Sequence, residues 1–433
     1  MSISVFFLAL FVILYPSFSA FIAPITKHHV HNTPFYSLKV QLQTPLQPTY
    51  LLLHVGANFT AVDCRRNYTS ITSRPVPCNS SLCHSLQNNH DNNTTCDTAT
   101  TSGGASGGCV ISHSPHNSFA LVDSLALPAT DGRNPGQLST FTEFVFTCSD
   151  ESSRLLKGHA KHVVNGLTGL GFSNYSLPAQ VSNNSSVFAL CLSGSPSAPG
   201  VAFFDLPKPY YFLPGIDVSD HLYYTPIFSH PAVTYTKKPN TKRYENAYYI
   251  GVKAININGR PIIINQTLLK VDENGYGGTR ISTINPYTVL EQSIYISLIE
   301  AFRKESKTMM LRPFKPVKPF RLCYEADGLS ETHLGPNVPQ IDLVLQNDVS
   351  WRVLGKNSMV RIVDDDLDVW CLAVVDGGVG ATSAMVIGGH QLEDNLLQFD
   401  LGTKTLGFSS TLLQHKTMCA NFNFSTNNAI KPF

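Results

Sequence analysis

The stretch that most limits what this chain can fold into is LLLHVGANFTAVDC, residues 51–64. Leu51, Leu52, Leu53 and Val55 lead into Gly56, and Ala61 and Val62 lead away toward Cys64. An apolar run, a glycine and a second short apolar run read as a strand, a tight turn and a returning strand.

The pattern has an echo. HVVNGLTGLGF at 162–172 is a second apolar-apolar-x-Gly signal, and the C-terminal half repeats the arrangement in TRISTI and MVIGG. The expected pairs are 51–56 with 163–166, and 280–284 with 385–388. A repeat of this kind implies two similar lobes facing a cleft. The length agrees, since 433 residues exceed one compact core. Charged residues make up only 14% of the chain while Thr, Ser, Asn, Tyr and Phe abound, which favours a β-rich secreted protein. The net charge of +1 gives no global field to attract nucleic acid or anionic lipid.

Residues 1–20, MSISVFFLALFVILYPSFSA, form an apolar run closed by small residues. This reads as a secretion signal cleaved after Ser19 or Ala20, too short for a bilayer span. Ten cysteines follow: Cys64, Cys78, Cys83, Cys96, Cys109, Cys148, Cys191, Cys323, Cys371 and Cys419. An even number behind a secretion signal implies disulfides, and no Cys-x-x-Cys or paired His spacing points to a metal. Ten Asn-x-Ser/Thr sequons add to the picture of a secreted, extracellular glycoprotein. The expected glycan sites are Asn67, Asn79, Asn92, Asn174, Asn265 and Asn423. Asn58 lies in the central turn and is expected to be buried.

Taken in order, residues 26–32 (TKHHVHN) read as a solvated arm, and FYSLKVQL, FALVDSLAL, LSTFTEFVFTC, VFALCLSG, VAFF and IDLVLQ as strands. Residues 64–118 are loop-rich. Ser176 is a suitable helix cap with Pro178 in the first turn. The six prolines and the basic run KKPNTKR between 207 and 243 mark the boundary between lobes. The lobes are therefore placed at 27–214 and 215–433. Asn258-Gly259 is a hairpin turn. Asn285 reads as a helix cap with Pro286 first, and Leu290, Ile294, Leu298 and Phe302 as an apolar stripe. The C-terminal run MVIGGHQLEDNLLQFDLGTKTLGF reads as strand, short helix and a hairpin around Gly402-Thr403.

Four segments carry a family resemblance: STINPYTVLE (282–291), VVDGG (374–378), IGGHQLEDNLLQFDL (387–401) and CANFNFS (419–425). With them the chain resembles the plant pepsin-like proteins without protease activity. That family includes xylanase inhibitors, xyloglucan endoglucanase inhibitors, extracellular dermal glycoproteins and basic 7S globulins. The resemblance covers about residues 25–425 and implies a mainly β, bilobal aspartic-protease fold. It also implies Cys323–Cys371 within the C-terminal lobe and Cys191–Cys419 between lobes, with the other six cysteines paired in the N-terminal lobe. The family usually has twelve cysteines, and this chain has ten.

Aspartic proteolysis needs two carboxylates sharing a proton across the lobe interface. The positions that would carry them read His54 and Ser282, and no Asp-Thr-Gly or Asp-Ser-Gly occurs. A His54–Ser282 base–nucleophile pair lacks a visible orienting acid. The resemblance therefore implies a catalytically inactive homologue, with no cofactor or metal. It implies a secreted inhibitor of a glycoside hydrolase, an endoglucanase or xylanase, in defence at the cell wall. A storage or peptide- or glycan-binding globulin is the alternative, and a residual aspartic endopeptidase the second. Inhibitors of this family place an arginine from the loop equivalent to 308–321 on their target. Arg312 fits that role, and Lys404 stands where a second arginine is expected. The loop TMMLRPFKPVKPFR also offers Lys315, Lys318 and Arg321, and it contains no acid.

Overall fold

The computed structural model describes residues 20–30, 33–64, 68–88, 96–97, 108–113, 116–148, 163–182, 185–235 and 242–425. Of the leader expected at residues 1–20, residues 1–19 lie outside that set, as do Asn67 and Asn92. The first strand, Ala20–Val30, pairs with both Thr33–Leu42 and Gly200–Phe204. Residues 26–30 are thus part of a strand and not a solvated arm. The register sets His28 opposite Phe35, where the two rings stack with centroids 4.9 Å apart. His28 Nε2 also lies 2.8 Å from Ser37 Oγ.

The organising motif occurs twice. In the N-terminal half, Gln47–His54 runs into the turn and Ala61–Val62 leaves it. Gly166–Gly169 threads between them, parallel to the first and antiparallel to the second. In the C-terminal half, Met385–Ile387 threads between Thr279–Ile281 and Thr288–Leu290 with the same directions. The outgoing strands are flanked by parallel partners as well, Pro135–Cys148 in one half and Val374–Asp376 in the other. The N-terminal threading strand begins at Gly166, whereas 163–166 was expected. Asn165 still belongs to the approach, donating its N–H to Tyr50 O at 2.7 Å. A Cβ on Gly166 would collide with Ala61 O, so this glycine admits the strand instead of ending it.

The helix of the C-terminal half is Gln292–Thr308, capped by the side chain of Glu291, which accepts from Ser293 N and Ile294 N. Asn285 and Pro286 do not cap it. Leu290 is paired with Met385 in the sheet, so the chain is still extended there. Ile294, Leu298 and Phe302 remain the buried stripe. Ser176 precedes the helix Leu177–Val181 with Pro178 in its first turn, but its Oγ donates to Ser173 O at 2.8 Å and caps nothing. The proline-rich stretch is not a bare linker either. Tyr211–Phe212 and Ile216–Asp217 form a small hairpin, and Tyr223–Tyr235 pairs with Lys242–Ile250 and Thr405–Phe408. Asn258 and Gly259 both take positive φ, 48° and 76°, which suits the turn between Val252–Ile257 and Arg260–Pro261.

A seam joins the first strands to the C-terminal end. Val187–Cys191 pairs with Leu396–Asp400, and Cys191 is bonded to Cys419 across a separation of 228 residues. In the chain-entropy model a loop of that length is worth about 5 kcal/mol. Beside it lies a buried polar cluster. Lys27 Nζ sits 2.7 Å from Glu393 Oε1, Tyr36 Oη donates to the same carboxylate at 2.5 Å, and His390 Nδ1 lies 3.4 Å from Oε2. Burial pushes the Glu393 carboxyl up, but His390 and Lys27 together outweigh it and hold the group down at about 2. Asp394 next to it goes the other way. Burial raises it to about 6 and the Glu393 charge adds to the rise, against backbone N–H bonds from Cys419 and Gly194.

The two shifts set a pH window. The stabilisation from Glu393 is complete above its unfolded value near 4.5 and is lost only as pH falls through about 2. That from Asp394 is complete below about 3.8 and is lost as pH rises through about 6. The seam is therefore most stable between about pH 4 and 5. Urea unfolding should show stability falling from pH 5 to 7 by on the order of 1 kcal/mol through this group. In Asp394→Asn that decline should flatten, and an unchanged slope would mean that another group causes it.

Candidate functional site

The two inner turns meet where the duplicated motifs face each other. On each, the threading strand ends in a glycine whose N–H donates to a threonine hydroxyl. Gly169 N lies 3.2 Å from Thr60 Oγ1, and Gly388 N lies 3.2 Å from Thr288 Oγ1. A Cβ on either glycine would run into backbone, of Phe59 or of Tyr287. This correspondence places His54 opposite Ser282, and Val55 opposite Thr283.

His54 and Ser282 are buried, 8% and 5% exposed. His54 Nδ1 accepts from Gly56 N at 3.1 Å. Its carbonyl accepts from Leu170 N at 3.2 Å, fixing the turn to the end of the threading strand. Ser282 is held at every point. Its N–H donates to Ile387 O at 3.0 Å, and its Oγ accepts from Ile284 N and Asn285 N at 3.3 and 3.2 Å. The Ser282 hydroxyl donates to Asn285 Oδ1 at 2.8 Å. An amide oxygen is too weak a base to take that proton in a reaction, so the arrangement does not activate Ser282 as a nucleophile.

Sequence reasoning missed the contact that ties the turns together. Thr283 Oγ1 is 2% exposed as a residue, donates to Leu53 O at 2.6 Å and accepts from Val55 N at 3.3 Å. One hydroxyl thus satisfies two backbone groups of the opposite half. The reciprocal bonds would need a hydroxyl at Val55, whose methyl groups supply neither donor nor acceptor. The signal was present in the sequence: setting HVG against STI aligns Val55 with Thr283.

Arg312 lies outside this region, at the start of the hairpin in which Pro313–Phe314 pairs with Cys323–Glu325. That strand is paired in turn with Leu367–Leu372, and Cys323 is bonded to Cys371 across the pair. The loop has no acid of its own, but the fold supplies two. Arg312 Nη1 is 3.3 Å from Glu325 Oε2, and Nη2 is 2.5 Å from Asp327 Oδ1. The Arg312 side chain keeps 53% of its surface exposed, beside Met310, which is 85% exposed in the left-handed region. Lys404 is on a different sheet, in the exposed turn between Leu396–Asp400 and Thr405–Phe408, with φ +55°. Its carbonyl accepts from Ile227 N at 2.9 Å.

In the N-terminal half Cys64 is bonded to Cys148 and Cys83 to Cys109, and Cys78 is also disulfide-bonded. The side chain of Cys96 lies outside the described residues. Asn79, Asn174 and Asn265 are exposed and Asn423 is half-buried. Asn58 is half-buried, not buried. Among the described residues no cluster of three or more His, Cys, Asp or Glu has metal-binding geometry, and no helix is long and apolar enough to cross a membrane.

The one-sided tie makes a paired prediction. Thr283→Val should destabilise the protein by about 2–3 kcal/mol, because Leu53 O and Val55 N lose their buried partner. Val55→Thr should add the missing half and raise stability by about 1 kcal/mol. Denaturant unfolding of both variants checks it, and equal, small losses in the two would refute the reading.

The fold agrees with known proteins. Residues 36–204 match the xylanase inhibitor N-terminal family and residues 247–410 the xylanase inhibitor C-terminal family. The chain is 42% identical to a protein of Glycine max named probable aspartic proteinase GIP1, over 95% of this chain and 94% of that one. The solved structure of edgp matches with TM-score 0.83 and 40% identity, covering 94% of this chain and 98% of the other. Soybean basic 7S globulin matches with TM-score 0.75 and 28% identity, over 95% and 100%. With both halves matched and the full-length likeness to these proteins, the chain belongs to the pepsin-like xylanase-inhibitor family.

Proposed function

We propose that this protein is a secreted, non-proteolytic inhibitor that docks on a glycoside hydrolase through Arg312, with Lys404 secondary. The observation that carries the reading is the state of Arg312: a half-exposed guanidinium already spanning two carboxylates, Glu325 and Asp327, on a hairpin clamped by Cys323–Cys371. Glycoside hydrolases present two carboxylates astride their cleft. Arginine matches such a pair because its planar fork donates in two directions at once. Exposed ion pairs are worth only about 0–1 kcal/mol, so Arg312 exchanges its own acids for a desolvated pair at little cost. Lys404 offers a point charge and no fork, which makes it the weaker contact. The inactive state follows from the inner turns, where His54 and Ser282 replace carboxylates and the Ser282 proton is committed to Asn285.

In inhibition assays against secreted endoglucanases and xylanases, Arg312→Ala should weaken inhibition at least about tenfold, the scale of one charge-assisted bond. Asp327→Asn, which removes an internal competitor, should strengthen it. Unchanged inhibition in Arg312→Ala would remove this hairpin from the mechanism. If the wild type inhibits neither enzyme class, the storage or glycan-binding globulin becomes the better reading. A separate assay concerns proteolysis. Casein should survive incubation with the protein from about pH 3 to 7, since among the described residues His54 and Ser282 stand at the inner turns in place of a proton-sharing carboxylate pair. Cleavage abolished by changing Ser282 or His54 would overturn the inactive assignment.

A further inference from the structure

The sheet of the C-terminal half carries a row of side chains that the inner turns do not use. Phe228 lies opposite Tyr249, Tyr249 opposite Arg280, and Arg280 opposite Val386. Residues directly opposite one another project from the same face of a sheet, so the four form one line across it. Phe228 is 38% exposed, and its ring stacks on the buried Tyr249 ring with centroids 5.7 Å apart. Arg280 is half-buried, two residues before Ser282 on the strand that leads into the second inner turn.

Arg74, Arg260, Arg312, Arg352 and Arg361 each pair with a carboxylate. Arg280 pairs with none among the described residues. Its Nε is buried without a hydrogen-bond partner, and no other charged side chain among the described residues has such an atom. A buried charged donor left unmatched is costlier than a neutral one. The groups beside it are hydroxyls and apolar surface. Burial raises the Tyr249 phenol, while Ser383 and then the Arg280 charge act against that rise. Val271, on the loop that precedes the strand, packs against Tyr249. The acids of that loop do not answer Arg280. Asp272 Oδ1 accepts from Asn274 N and Tyr276 N at 2.9 and 2.8 Å, and Glu273 is exposed.

We infer that Arg280 binds the carboxylate of a small organic acid whose apolar ring lies against Phe228. The guanidinium fork fits a carboxylate edge to edge, with two parallel N–H···O bonds. Phosphate fits less well, because it needs several donors and the nearby backbone has none to spare. Gly277 N and Gly278 N are committed to Thr382 O and Leu268 O at 2.9 and 2.8 Å, and the N–H groups of the strand to its neighbours. One fork and one ring hold such an acid at about millimolar Kd. A free acid and the free end of a peptide present the same carboxylate, and the test separates them. The inference is independent of the hydrolase reading, because its test reads no inhibition.

The test uses the full-length protein and saturation-transfer difference NMR. Benzoate should give a saturable signal, and benzamide, its neutral counterpart, none. Arg280→Gln should weaken benzoate binding at least about tenfold. Arg280→Lys, which keeps the charge without the fork, should fall between. Phe228→Ala changes an exposed ring and should weaken benzoate while leaving acetate unchanged, which keeps the inference testable if the Arg280 variants do not fold. If the tripeptide Gly-Gly-Phe binds more tightly than benzoate and its C-terminal amide does not bind, the carboxylate belongs to a peptide end. The opposite order assigns it to a free acid. The absence of a benzoate signal overturns the inference, as does equal binding of benzamide or equal binding by Arg280→Gln. Displacement of benzoate by inorganic phosphate at equal concentration overturns the choice of a carboxylate. Unchanged benzoate binding in Phe228→Ala overturns the placement of the ring.

Discussion

The architecture rests on the close approach of backbone at Gly169 and Gly388. Each glycine lets a strand thread between two others, and each donates its N–H to a threonine on the strand it passes. Any side chain there would occupy the space of Phe59 or Tyr287 backbone. Once the threading strand is seated, the turn it crosses has little freedom. Leu170 N bonds to His54 O, and Ser282 N to Ile387 O. The positions of the two inner residues are therefore set by sheet geometry, independent of what chemistry those residues carry. A scaffold of this kind holds its turns in place whatever side chains they carry.

Two kinds of contact between the halves stand out. At the inner turns a single hydroxyl, Thr283, bonds to the backbone of the opposite half. At the seam a disulfide, a strand pairing and an ionic cluster act together. The ionic cluster is expensive to bury, and its geometry is what makes it tolerable. Glu393 receives Lys27 and Tyr36 on one oxygen and His390 on the other. Removing any one partner would leave a buried charge short of compensation. Asp394, without a cation in contact, takes the other solution and shifts toward its neutral form.

Much of the fold was legible in local pattern. The apolar run before Gly56, the Asn258-Gly259 turn and the strand–helix–hairpin sequence at the C-terminal end are each dictated within a dozen residues, and periodicity finds them. The errors came where two local signals competed. Asn285-Pro286 has the chemistry of a helix start, but Leu290 pairs with Met385, and the sheet holds the chain extended until Glu291 can cap. Likewise the histidines at 28 and 29 look like part of a free arm in isolation, and pairing with Thr33–Leu42 makes them part of a strand, on which His29 stays exposed. Long-range partners were invisible altogether. Nothing near Arg312 announces Glu325 and Asp327, and nothing near Lys27 announces Glu393. The Thr283 contact was recoverable only by laying one half of the chain on the other.

The Cys191–Cys419 bond has a topological consequence. It turns the chain between these residues into a covalent ring, since the bonded positions are 228 residues apart in sequence. A single hydrolysed peptide bond within the ring opens it without dividing the molecule, whereas a cut before Cys191 and outside the smaller N-terminal loops releases a separate piece. The smaller ring closed by Cys323 and Cys371 lies inside the large one. Wear at exposed turns of the C-terminal half would therefore accumulate as nicks in an intact particle, visible only after reduction.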